Sequence, residues 1–126
     1  MAVLPIKCRR YLTERGTPFE EIEEGGQRGV IFRAFPLPAD RFDVPSADIL
    51  LLLPPGYPDS APDMFYALPW LRLTPSNQYP RAADQPVTFQ GVAWQRWSRH
   101  NHAWRPGLDG IWTMLKRVEE ALEIAA

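Results

Sequence analysis

In the middle of the chain the sequence reads Tyr57-Pro58-Asp59-Ser60-Ala61-Pro62, directly after the apolar run Asp48 to Leu53 and the pair Pro54-Pro55. Proline fixes φ and restricts the residue before it, so this stretch predicts a stiff, extended turn between two regular elements. The run before it is too short for a helix and reads as a buried strand; Asp63 to Leu68 after it reads as the next strand. Working outward toward the N-terminus, Val30 to Phe35 is rich in strand formers and is ended by Pro36 and Pro38. Phe19 to Glu23 reads as a short strand, with Gly25-Gly26 as the turn between the two. Met1 to Arg15 reads as a helix, with Leu4, Cys8, Tyr11 and Leu12 on one face and Gly16 as its stop.

Toward the C-terminus, the prolines at 69, 75, 80 and 86 predict one long irregular segment from Pro69 to Gln90. A loop of that length in a compact domain is usually functional. Trp104-Arg105-Pro106 then introduces a helix with Pro106 in its first turn. Ile111, Met114, Leu115, Val118 and Leu122 form its apolar stripe, opposite Lys116, Arg117, Glu119, Glu120 and Glu123. Helix, four-strand antiparallel meander, irregular loop and helix make an α+β order over one domain spanning residues 1–126.

The composition narrows the function classes. The 126 residues carry a formal net charge of −1, which argues against a nucleic-acid partner despite the basic stretch Arg96, Arg99, His100 and Arg105. A single cysteine excludes an internal disulfide framework and a Cys-rich zinc site. No apolar run reaches the length of a membrane span, and Lys7, Arg9 and Arg10 interrupt any signal-peptide pattern. A cytoplasmic protein with no membrane partner is expected. Without a phosphate-binding signature, no nucleotide site and no cofactor are expected either.

The element order, the Tyr57-to-Pro62 turn and the Trp104-Arg105-Pro106 helix start together resemble the ubiquitin-conjugating enzymes. In that family a Tyr-Pro-x-x-Pro-Pro turn precedes the fourth strand; here Ala61 replaces the first proline of the closing pair. The resemblance covers nearly the whole chain and is closest to the prokaryotic branch called family E. It implies a ubiquitin-conjugating-enzyme fold and, as partners, a ubiquitin-like protein, an activating-enzyme-like protein and a JAB-type metalloprotease.

Such enzymes carry ubiquitin as a thioester on a cysteine, because sulfur is nucleophilic near neutral pH. The resemblance sets Trp94 at that position, within Phe89-Gln90-Gly91-Val92-Ala93-Trp94-Gln95-Arg96-Trp97, and an indole cannot form an acyl intermediate. The family's His-Pro-Asn element is reduced to Gln78-Tyr79-Pro80, without the asparagine associated with the oxyanion. Cys8 reads as a small buried hydrophobe on the first helix.

Other residues invite chemistry. His100 and His102 stand beside the vacated site, as candidates for a general base or acyl acceptor, or as metal ligands. Zinc needs three or four ligands and no further ligand follows at a suitable spacing, so both are read chiefly as surface or hydrogen-bonding residues and no metal is expected. Glu20, Glu21, Glu23 and Glu24 read as a solvated strand edge, and Asp109 as complementing the last helix's dipole. Trp94, Trp97 and Arg99 are the candidates for binding a partner. The expected function is a non-catalytic adaptor for a ubiquitin-like protein or its activating enzyme. The alternatives are an enzyme of the same pathway using His100 or His102, and a structural subunit of a ubiquitin-like assembly.

Overall fold

The computed structural model describes residues 3–100 and 103–126. Helix α1 (Ile6–Arg15) starts later than the periodicity predicts, because Pro5 is extended at φ −57° and ψ 152° and disfavours helix in Leu4 before it. Met1 and Ala2, the start of the expected helix, lie outside the described residues. Gly16 ends α1 at φ 74°, with its N–H and that of Thr17 closing the last turn.

Six strands follow: β1 (Phe19–Glu24), β2 (Gln27–Pro36), β3 (Ser46–Leu53), β4 (Phe65–Leu68), β5 (Gln85–Phe89) and β6 (Val92–Trp97). Helix α2 (Ile111–Ile124) closes the chain. All pairs are antiparallel, and the strands lie in the order β1-β2-β3-β4-β6-β5. The α+β architecture is as expected, but the meander of four strands is extended by a hairpin. The irregular segment expected from Pro69 to Gln90 yields to β5, where Pro86 is tolerated because β5 is an edge strand with one side unpaired. Gln90 (φ 54°) and Gly91 (φ 71°) both adopt the left-handed region, which turns β5 into β6 within two residues.

Strand alternation divides the apolar residues between two faces. Val30, Phe32, Ile49, Leu51, Phe65, Ala67 and Trp97 face α1 and α2, meeting Cys8, Leu12, Leu115 and Val118 in the main core. Ile22, Ile31, Leu50, Phe89 and Trp94 form a smaller cluster on the other face. The Phe89 side chain reaches β2: a Cβ at Gly29 would lie 3.1 Å from its Cζ and from Leu50 Cδ1, so a larger residue there would push both side chains aside by a few tenths of an ångström.

Candidate functional site

The two motifs that flank the middle of the chain meet in space. Tyr57 is buried, its ring 6.4 Å from that of Trp104, and Trp104 Nε1 donates to the Pro58 carbonyl at 2.9 Å. On its far side the Tyr57 hydroxyl lies 3.2 Å from Cys8 Sγ. The turn is held by Tyr57 N–H to Pro54 O and Ser60 N–H to Gly56 O, and Pro62 is buried at its end. Burial, and secondarily the contact with Cys8, pushes the Tyr57 phenol far above its ordinary pKa, so it stays neutral. The turn thus binds α1 to the segment leading into α2, a structural use of proline and tyrosine.

The stretch Phe89 to Trp97, where the resemblance sets the nucleophile, is the end of β5, the turn and β6. Trp94 lies on β6, 3% exposed, packed with Ile22, Ile31, Leu50 and Phe89. Its Nε1 has no hydrogen-bond partner. Trp97 points to the opposite face and is fully buried, stacked on Phe65 at 5.1 Å and edge-on to Phe42 at 6.0 Å. Neither tryptophan presents a surface to a partner, which corrects the expectation that they anchor one. Alternation on a strand hemmed between β4 and β5 sends every second side chain into one core or the other. Arg99 alone of that set reaches the surface, half-buried, with its guanidinium 5.1 Å above the Trp97 ring.

Sequence reasoning missed Gln95, between the two tryptophans. Its buried amide accepts from Leu71 N–H (2.8 Å) and Trp97 Nε1 (3.0 Å), and donates to Leu71 O and Ala83 O. One side chain thereby clamps the chain between β4 and β5 onto β6. In the same connection Gln78-Tyr79-Pro80 is braced by Arg72, whose guanidinium covers the Tyr79 ring at 4.2 Å and donates to its hydroxyl.

His100 is exposed, with Nδ1 3.1 Å from Asp63 Oδ1, and the carboxylate is exposed as well. His102 lies outside the described residues. Among the described residues no three His, Cys, Asp or Glu side chains converge to hold a metal ion. Pro106 sits in a turn ahead of α2, which begins at Ile111 after Gly110 and not at the proline. Asp109 is buried there, accepting from Arg105 N–H (2.7 Å), the Arg105 guanidinium and Thr113 Oγ1. The Arg105 contacts hold its carboxyl below the usual range. Glu21 also departs from the solvated edge expected of it: it accepts from Val3 N–H, Leu4 N–H and Arg9, tying the chain's start to β1. The hydrogen bond from Arg9 depresses its pKa most.

Between α1 and α2 a broad cleft of about 1150 Å³ opens beside residues 103–109. Tyr11, Trp104, Arg105, Leu108 and Trp112 line it; Leu108 is 63% exposed, and Tyr11 meets Trp112 edge-on at 5.8 Å. Tyrosine, tryptophan and arginine are the side chains enriched where interfaces are anchored.

A two-helix, antiparallel α+β fold, whose Tyr-Pro turn packs on a Trp-x-Pro segment, defines a protein of the ubiquitin-conjugating-enzyme (E2) class. Within that class the chain belongs to prokaryotic E2 family E, whose sequence model matches residues 4–125. Neither the curated proteins nor the solved structures contain a match to the chain. No helix among the described residues is long and apolar enough to cross a membrane.

Proposed function

We propose that this protein is a non-catalytic, E2-like adaptor that binds a ubiquitin-like protein or its activating enzyme in a bacterial pathway. The observation that carries this reading is the state of the one thiol: Cys8 is 2% exposed and sealed against Tyr57. An acyl-carrying thiol must be reached by its donor and be able to ionise, and apolar burial opposes both. Trp94, at the family's nucleophile position, is enclosed in the smaller core.

The α1–α2 cleft is the face we assign to the partner. A JAB-type metalloprotease is a further partner of the same pathway. A second reading makes His100 a reactive group oriented by Asp63, a pairing that general bases use. The two readings separate in one experiment. Calorimetric titration without ATP, of the ubiquitin-like protein and of the activating enzyme in turn, should give saturable binding to one of them. Leu108→Asp should abolish that binding, and the double change His100→Ala and His102→Ala should leave both binding and cellular function intact. Binding by neither protein contradicts the adaptor reading; normal binding with lost function in the histidine variant favours the enzyme.

A further inference from the structure

We propose that the groove on the other flank of α2, where the 98–100 segment meets the helix, docks a short acidic peptide segment bearing one large apolar side chain. The groove has a volume of about 200 Å³ and an apolar floor of Phe65, Met114, Val118 and Ala121. Ile124 stands at its edge with 78% of its surface exposed. Arg99, His100, Arg117 and a single carboxylate, Glu120, line it, and the hydrogen bond from Ser98 N–H to Ala82 O brings the Arg81 loop alongside.

The cations set the chemistry of the occupant. Arg9, Arg15, Arg33 and Arg105 each pair with a carboxylate. Among the described residues no carboxylate lies within ion-pair distance of Arg81, Arg99 or Arg117. Burial is the larger cause lowering the Arg99 pKa, and the neighbouring charge of Arg81 adds to it. A half-buried Arg99 beside the like charge of Arg81, with no carboxylate in ion-pair reach, is destabilised, and a carboxylate supplied from outside relieves both desolvation and repulsion. Planar guanidinium groups bind carboxylates through paired hydrogen bonds. The floor adds a requirement for an apolar side chain between the acidic groups. A nucleic acid offers no such side chain, and the chain's net charge of −1 does not attract a polyanion.

This proposal extends the adaptor reading by giving the protein a second contact surface, separate from the α1–α2 cleft. The probe is a short fluorescein-labelled peptide with a single leucine between glutamates, titrated by anisotropy. Saturable binding is expected, weakened about tenfold or more by Arg81→Glu or Arg117→Glu. Arg81 is exposed and Arg117 makes no ion pair, so circular dichroism should show both variants folded. Alanine in place of the peptide's leucine, and Ile124→Ala in the protein, should each weaken binding severalfold, while lysines in place of the glutamates should abolish it. The proposal is overturned by an absence of saturable binding, by equal binding to the arginine variants, or by a single-stranded oligonucleotide binding as tightly as the peptide. Peptide failure with intact binding of the ubiquitin-like protein or activating enzyme sinks this site alone. Peptide binding with neither protein bound sinks the adaptor reading alone.

Discussion

Trp97 contributes a fully buried indole whose N–H is satisfied by Gln95 and whose faces are covered by Phe65, Phe42 and Arg99. Trp97→Ala should therefore cost about 4 kcal/mol of stability, a large share of what a small domain possesses. Chemical denaturation of the variant checks this; a folded, fully stable Trp97→Ala protein would mean that the indole is not in the core. Residue identity alone did not reveal which tryptophans are inside, because tryptophan suits cores and interfaces equally. Burial at 94 and 97 is decided by strand alternation, and alternation is visible only once the stretch is known to be a strand. Tyr57 and Cys8 were more legible: a tyrosine fixed by a following proline needs an anchor, and a lone cysteine on an apolar helix stripe belongs inside.

At the scale of elements, the β5–β6 hairpin and the connection before it depend on one amide. Gln95→Leu leaves Leu71 N–H, Leu71 O, Ala83 O and Trp97 Nε1 without the partner each now has. Unmet buried groups of this kind should destabilise the fold by about 3 kcal/mol. The measurement is hydrogen exchange: amides of residues 69–84 and of β6 should lose protection before those of β2 and β3. Uniform loss across the sheet would show that the clamp is not local. The sequence hid this hairpin for two physical reasons. Pro86 counts against a strand unless its position at an edge is known, and Gln90-Gly91 is a weaker turn signal than Asn-Gly or Asp-Gly. By contrast β2, β3 and α2 were readable, because long apolar runs and a helical stripe survive without knowledge of their neighbours. Pro106 predicts the start of α2 too early, since the helix begins at Ile111, because a proline suits a turn as well as a helix's first residue.

The whole molecule is held at its ends by carboxylates that bind backbone N–H groups and arginine: Glu21 at the start and Asp109 before the last helix. Both have folded pKa values below the ordinary carboxylate range, for Glu21 through Arg9 and for Asp109 through Arg105. Their stabilising effect is thus complete above the unfolded values near about 4 and is lost as pH falls through the folded ones. The thermal midpoint should fall on acidification below about pH 4.5, and Glu21→Gln should flatten that fall. A parallel acid limb in the variant would remove Glu21 from the account.

The central claim concerns the entire fold, an E2 scaffold carrying no accessible thiol. Its most direct test incubates the protein with an activating enzyme, ATP and a ubiquitin-like protein, followed by electrophoresis with and without reductant. The account predicts no reductant-sensitive conjugate for the wild-type protein and none for Cys8→Ser, whose stability should change by no more than about 1 kcal/mol because Tyr57 can hydrogen-bond the new hydroxyl. A conjugate that forms on the wild-type chain, is cleaved by reductant and disappears in Cys8→Ser would contradict it.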